Sequence, residues 1–220
     1  KRIRPFKIGW FHLGADVENA VPSHGLPEDS LQMLAQLASR PSFLMIGTVE
    51  PRKGYSQALA AFEQLWVNGV NVTLVIIGRQ GWISELVPKS LRHHPERGKR
   101  LFWLEGISDE YLEKIYSAST CLIAASEGEG FGLPLIEAAQ HKLPLIVRDI
   151  PVFREVAGEH AFYFRGKDPE DLAMAVRDWL ALYSSGRHPK SDGLIYLTWK
   201  QSTQQLLEII MQGRWQYKVE

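Results

Sequence analysis

Cysteine is almost missing from this chain: Cys121 is the single one among 220 residues, so no internal disulfide can form. It lies in the apolar run Cys121-Leu122-Ile123-Ala124-Ala125, where a small core side chain accounts for it better than a reactive thiol does, and a reducing, cytoplasmic setting is expected. No apolar stretch approaches the ~20 residues of a membrane-spanning helix, and the start, Lys1-Arg2-Ile3-Arg4-Pro5, turns polar too soon for a secretory signal. With no initiator methionine, the sequence reads as a piece cut from a longer protein. A charge of one sign is lacking too. The 25 basic and 25 acidic residues cancel, which gives no global attraction to nucleic acid or a membrane surface, so any attraction must be local. Zinc-type cysteine and histidine spacing is absent, the adjacent His93 and His94 cannot readily chelate one ion together, and no D-x-D is present to hold a divalent ion on a diphosphate. No metal is expected. Repeats and low-complexity tracts are missing as well.

What remains is an ordinary globular composition, 45% hydrophobic and 23% charged, with enough chain for a proper core. Short β-rich runs alternate with helical stretches. Phe6 to Phe11, Phe43 to Ile46, Val72 to Ile77, Leu101 to Leu104, Cys121 to Ala124, Leu145 to Val147 and Ala161 to Phe164 read as strands. Ser30 to Leu37, Gln57 to Val67, Trp82 to Val87, Asp109 to Ser117, Leu135 to His141 and Pro169 to Tyr183 read as helices, and a polar connector, Ser184 to Gly193, precedes a last helix from Thr198 to Met211. This alternation predicts an α/β fold, a parallel sheet with helices on both faces. Ligands of such sheets bind at the carboxyl ends of the strands, which is where Gly47, Gly78, Gly106 and the stretch from Glu127 to Gly132 fall.

The most informative stretch is Ser126-Glu-Gly-Glu-Gly-Phe-Gly-Leu-Pro-Leu-Ile-Glu137-Ala-Ala-Gln140. A buried strand enters a glycine-rich turn, and Pro134 suits the first turn of the helix that follows. Backbone N–H groups of Phe131, Gly132 and Leu133 at that helix start offer an anion site, with Gly130 and Gly132 allowing close approach. Glu127 and Glu129 would repel a bare phosphate, so a ligand carrying hydroxyls beside its phosphates fits better. A second anion-seeking segment follows the second strand: Gly47-Thr48-Val49-Glu50-Pro51-Arg52-Lys53-Gly54-Tyr55. Arg52 and Lys53 fall just before or within the first turn of a helix, where cations oppose the dipole at ~0.3–1 kcal/mol each unless an anion is near. It is no P-loop, since Lys53 precedes Gly54. Nor is Gly128, Gly130, Gly132 a dinucleotide fingerprint, because its spacing is G-x-G-x-G and it follows a late strand.

Glu129 through Glu137, followed by Ala138, resembles the E-G-F-G-L-P-x-x-E motif of the retaining family 4 glycosyltransferases. Gly47 to Gly54 is similar to the family's G-x-x-x-P-x-K-G segment, with Thr48 where many members carry arginine. Ile76-Ile77-Gly78-Arg79 resembles its I-I-G-x segment, Leu104-Glu105-Gly106-Ile107-Ser108-Asp109-Glu110-Tyr111-Leu112 the segment lining its base pocket, and His12-Leu13-Gly14-Ala15-Asp16 a glycine turn lining a domain cleft. Ser108 also reads as a helix N-cap. Leu143 to Val147 and Phe153 to Gly158 follow family patterns as packing and turn elements, and Trp199 reads as a packing residue. The resemblance covers nearly the whole chain. It implies the carboxyl-terminal, Rossmann-like, donor-binding half of a GT-B enzyme over residues 1–220, with 194–220 a terminal helix packing on an absent amino-terminal acceptor domain.

The roles it implies are these. Glu137 binds ribose hydroxyls and Glu129 engages the transferred hexose. Lys53, helped by Arg52, stabilises the leaving diphosphate together with the N–H groups at Phe131 to Leu133, while Gly47, Thr48, Gly78, Arg79, Gly106 and Ile107 complete the donor site. No cofactor or metal is implied beyond the nucleotide-sugar donor. The variant Gly-Thr-x-Glu-Pro-Arg-Lys resembles members that use GDP-mannose in bacterial surface polysaccharide and lipopolysaccharide synthesis, with a glycan or lipid-linked glycan as acceptor. A UDP-sugar donor and a non-catalytic nucleotide-sugar-binding module stay open as alternatives. A glycosidase pair of carboxylates fits less well, since hydrolysis has no use for Arg52, Lys53 and a helix-start phosphate site. The basic segment Arg92 to Arg100 is read as a solvated loop, with peripheral contact to anionic lipid at the inner membrane face as its alternative.

Overall fold

The computed structural model describes residues 6–15, 25–81 and 86–219. In chain order the strands are β1 (Phe6–Ile8), β2 (Ser42–Ile46), β3 (Thr73–Ile77), β4 (Leu101–Leu104), β5 (Cys121–Ala124), β6 (Leu145–Arg148), β7 (Phe162–Phe164) and β8 (Tyr217–Val219). The helices are α1 (Ser30–Ala38), α2 (Tyr55–Val67), α3 (Leu86–His93), α4 (Asp109–Ala118), α5 (Leu133–Gln140), α6 (Pro151–Ala157), α7 (Pro169–Ser184) and α8 (Trp199–Gln212). The chain divides into two compact units, residues 21–194 and residues 1–20 with 195–220.

In the larger unit, β2 to β7 form one parallel sheet in the order β4-β3-β2-β5-β6-β7. Its central strands are apolar on both faces because helices cover both. Phe43, Leu74 and Cys121 share one face by register, while Leu44, Val75, Leu122 and Leu145 share the other, and all are buried. Phe62, Leu65 and Trp66 of α2 and Leu172, Val176 and Trp179 of α7 close the first face. Phe43 meets Phe62 at 5.6 Å and Trp179 at 5.7 Å, both edge to face. Emptying the Phe43 position to alanine would cost about 3–5 kcal/mol. Leu37, Ile115, Leu135 and Phe153, from α1, α4, α5 and α6, are buried in their turn.

Chain order runs outward from β2 to β4 and again outward from β5 to β7, so the reversal falls between β2 and β5. Ligands of doubly wound sheets bind in the crevice at such a point. The loops leaving these two strands carry Arg52 with Lys53, and Glu129.

Three sequence expectations change. The run Phe6 to Phe11 supplies only β1, which pairs antiparallel with β8, Phe6 opposite Val219, outside the parallel sheet. All three residues of β1 are exposed, so the run reported strand propensity but neither burial nor the sheet the strand joins. The helix placed at Trp82 to Val87 begins at Leu86 and runs on to His93, while residues 82–84, with Glu85, lie outside the described residues. Phe153 to Gly158, read as packing and turn, falls in the short helix α6 up to its C-cap Gly158; the helix is started by Pro151 and buries Phe153 and Ala157.

In the smaller unit, α8 has a capping box: the Thr198 side chain accepts from Gln201 N–H at 3.2 Å, and Gln201 Oε1 accepts from Thr198 N–H at 2.8 Å. Gly14 bridges to Leu197 and runs against the backbone of Trp199; Asp16, its partner in the sequence segment, lies outside the described residues. Trp199, read as a packing residue, leaves about half of its surface exposed, and Ile195, Ile210 and Met211 are exposed as well.

Candidate functional site

After β2 the chain makes a 3-10 turn, Pro51–Lys53, and enters α2 through Gly54. Gly54 has φ 75°, and a Cβ there would lie 2.4 Å from the carbonyl oxygen of Ala125, so only glycine lets the turn press against the end of β5. Arg52 C=O also accepts from Glu127 N–H at 2.8 Å. The β2–α2 turn and the β5–α5 loop are therefore joined through their backbones.

Side chains join them again. Lys53 Nζ lies 2.5 Å from Glu129 Oε1, and Arg52 Nη1 lies 3.1 Å from Glu129 Oε2. Ser126 Oγ donates to Glu129 Oε1 at 2.7 Å, while Arg52 reaches Gly128 C=O at 3.2 Å and Glu50 at 3.0 Å. Burial works against ionisation of Glu129, but the hydrogen bonds from Lys53 and Ser126, the Lys53 charge and the Arg52 bond outweigh it and hold the carboxyl below its usual range. Tyr55, buried at the start of α2, donates to Gly47 C=O at 2.6 Å. Burial, then the charges of Glu129 and Glu50, push its phenol far above the usual tyrosine value, so it stays a donor. Glu127, which with Glu129 argued against a bare phosphate, is paired with Lys167 at 2.5 Å; that hydrogen bond is the main reason its carboxyl is held low.

Glu137 sits one turn into α5 and is not part of this cluster. Its Oε2 accepts from the hydroxyl of Tyr116 on α4 at 2.8 Å. Burial, followed by the Glu137 charge and hydrogen bond, raises the Tyr116 phenol well above its ordinary value. Tyr116 also stacks on His141 at 4.8 Å, and His141 Nε2 lies 3.2 Å from Glu113. Between the two carboxylates comes the start of α5, where Gly132 is the N-cap with no side-chain cap bond, Pro134 is in the first turn, Gly130 is exposed and Phe131 and Leu133 are half-buried.

The remaining predicted residues line the ends of the neighbouring strands. Gly78 has φ 151°, and a Cβ there would lie 2.0 Å from the Gly47 carbonyl oxygen. This close approach packs the ends of β2 and β3 together. Val49 N–H donates to Arg79 C=O at 2.9 Å, leaving Thr48 and Arg79 exposed. At the end of β4, Gly106 is exposed and Ile107 half-buried. Ser108 caps α4, accepting from Tyr111 N–H at 3.2 Å as its sequence position implies. The basic segment is partly neutralised within the fold: Arg100 pairs with Glu96 at 2.8 Å and His94 with Glu63 at 2.9 Å.

Four contributors escaped the sequence reading: Ser126, Tyr116, Lys167 and Arg148. Arg148 ends β6 and is buried, with Nε and Nη2 each 3.0 Å from Ala125 C=O and further bonds to Gly166 C=O and the Gln57 side chain. Its only sequence signal is a charge directly after an apolar strand.

A doubly wound sheet with paired cations and carboxylate at its switch point defines a class, the Rossmann-like half of a GT-B fold. The chain belongs to the family of glycosyl transferases group 1, whose pattern matches residues 32–192. It is 58% identical over 198 residues to the serotype-specific mannosyltransferase WbdA of Escherichia coli, an overlap covering 90% of this chain and 24% of that protein. The chain thus spans about a quarter of the length of this relative. Among solved structures it resembles sucrose-phosphate synthase from Thermosynechococcus elongatus, with TM-score 0.70, 23% identity and coverage of 91% of this chain and 51% of that one. It also resembles HepE of Anabaena in complex with UDP-glucose, with TM-score 0.68, 17% identity and coverage of 86% and 54%. These two likenesses show the fold. Among the described residues no helix is long and apolar enough to cross a membrane.

Proposed function

We propose that this chain is the donor-binding part of a retaining glycosyltransferase that moves mannose from GDP-mannose to a hydroxyl of a glycan or lipid-linked glycan in surface polysaccharide synthesis. The observation that carries this reading is the Lys53–Glu129–Arg52 cluster at the switch point of the sheet. The mannosyltransferase relative supports the choice of sugar. In the reaction the bond from the anomeric carbon to the diphosphate oxygen breaks, the acceptor oxygen bonds to that carbon on the face the diphosphate leaves, and the acceptor hydroxyl gives up its proton. GDP departs with the bonding pair. Fixed positive charge beside the departing diphosphate lowers the barrier most, and Lys53, Arg52 and the N–H groups at the start of α5 supply it without a metal. As the two cations turn to the diphosphate they release Glu129, whose carboxylate then accepts from hexose hydroxyls. Glu137 accepts from the ribose hydroxyls, and the backbone at Gly106 and Ile107 meets the base beside Gly78 and Arg79.

The exposed apolar residues of α8 and its flanks, Ile195, Leu207, Ile210 and Met211, support a role for the 194–220 stretch in packing on an amino-terminal acceptor domain. The reading places the protein in the cytoplasm, peripheral at the inner membrane face. The structural likeness to HepE with UDP-glucose gives a UDP-sugar donor as the second reading.

The test is the thermal midpoint of the chain with GDP, UDP and their sugar conjugates, beside transfer of labelled sugar by the full-length polypeptide. Ligand at about 100 times its Kd adds roughly 2.7 kcal/mol of stability. A shift with GDP and GDP-mannose, cut by about half in Glu137→Ala, with labelled mannose reaching the acceptor, is the expected result. A shift with UDP alone selects the second reading. Tight binding with no transfer by the full-length polypeptide from any donor would leave a nucleotide-sugar-binding module.

A further inference from the structure

Arg148 is 6% exposed; its hydrogen bonds go to the carbonyl oxygens of Ala125 and Gly166 and the amide oxygen of Gln57, its guanidinium lies over the Phe164 ring at 5.0 Å, and the carboxylates of Glu127 and Asp171 act on it through space, with no hydrogen bond to either. Two carboxylates at a distance offset only part of the cost of taking a guanidinium out of water, and burial still lowers its affinity for its proton. What the guanidinium provides is geometry, since its planar fork fixes several acceptors at once. Ala125 is the residue on which the cluster turns. It is the last residue before Ser126, the loop it opens carries Glu129, and the Gly54 turn that bears Lys53 packs against its carbonyl. Arg148 also holds Gln57, which donates to Asp168 C=O at 2.8 Å, so one side chain ties the ends of β5 and β6 to α2 and to the loop entering α7.

We propose that Arg148 is a positioning residue for sugar transfer: by fixing the Ala125 carbonyl it sets Glu129 and Lys53 at the separation the reaction needs, without touching the donor. The proposal rests on the glycosyltransferase reading. Displacement of reacting groups by about 1 Å costs on the order of 100-fold in rate, whereas the base and ribose contacts, at Gly106, Ile107 and Glu137, lie on elements to which Arg148 makes no recorded hydrogen bond. Loss of Arg148 should therefore lower kcat far more than nucleotide affinity.

The experiment uses the full-length polypeptide with Arg148→Met, Arg148→Lys and Arg148→Ala, measuring kcat and KM for labelled donor, Kd for GDP and the thermal midpoint. For Arg148→Met, kcat is expected to fall about 30- to 100-fold while the Kd for GDP stays within about threefold. Guanidinium at low, non-denaturing concentration is expected to restore part of the kcat of Arg148→Ala, and ammonium to restore none. A kcat within about threefold of wild type in Arg148→Met overturns the proposal. Equal loss of kcat and GDP affinity, failure of all three variants to fold, or a folded Arg148→Ala that guanidinium leaves unchanged would mark the residue as merely structural and also overturn it. Wild-type polypeptide that transfers no sugar would instead overturn the reading beneath it, and this proposal with it.

Discussion

Glu129 and Glu137 stand at the two ends of one motif, and their surroundings differ in kind. Glu129 is held by a lysine, an arginine and a serine, with its carboxyl drawn low. Glu137 is held by one neutral phenol. A carboxylate neutralised by two cations has little charge left to offer, so it can serve a ligand only if those cations are taken over by something more anionic. A diphosphate is such a partner. A carboxylate held by a hydroxyl keeps its charge and can accept from further hydroxyls with no exchange of partners. Under the proposed function the loop end would exchange partners on binding, and the helix end would keep its own.

Removing the Glu129 charge should break this contrast most severely. In the full-length polypeptide, Glu129→Gln is expected to lower kcat for mannose transfer by about 100-fold or more, yet to leave GDP affinity equal or up to about tenfold tighter, because Lys53 and Arg52 are released to the diphosphate. Steady-state transfer and calorimetric titration measure the two quantities separately. If GDP affinity fell along with kcat, the idea of released cations would be wrong. Next in size is a crossed comparison using GDP and guanosine. Lys53→Ala should weaken GDP by about 10- to 30-fold, as loss of a charged hydrogen bond does, and leave guanosine unchanged. Glu137→Ala should weaken both ligands alike, by about tenfold. The same ratio of GDP to guanosine in the two variants would erase the distinction between the phosphate and ribose ends.

The loop end was legible in the sequence because it breaks local rules. Arg52 and Lys53 oppose the start of a helix, and glycines crowd a strand-to-helix turn beside carboxylates; both are visible within a few residues. Strands β4 and β5 were legible to the residue, as apolar runs between turn signals. What stayed hidden depends on which segments become neighbours. Arg148 meets Ala125 across 23 positions, Tyr116 meets Glu137 across 21 and Lys167 meets Glu127 across 40, and no periodicity reports such pairings. The placement of β1 failed for the same reason, since its partner β8 is near the other end of the chain. Helix α6, seven residues long, spans barely two turns and offers too short a pattern for a helical period to show. In the same way, the sequence could supply both glutamates, but not the fact that one faces cations and the other a phenol.

The smallest expected effect sharpens the helix end. Tyr116→Phe keeps the ring that stacks on His141 and removes only the hydroxyl that orients Glu137. A neutral hydrogen bond contributes about 1 kcal/mol, so affinity for guanosine and for GDP should each fall by about three- to fivefold, while kcat at saturating donor stays within about twofold. The pH dependence provides an internal check. The Tyr116 phenol is raised above its ordinary value near 10, so its protonated form is the one the fold favours, and the contribution is fully present below pH ~10 and lost only as pH rises through the higher folded value. The ratio of wild-type to Tyr116→Phe affinity should therefore be flat from about pH 6 to pH 9. A ratio that collapsed within that range would mean that Glu137 is oriented by some other group, and the two ends of the motif would then differ less than their geometry implies.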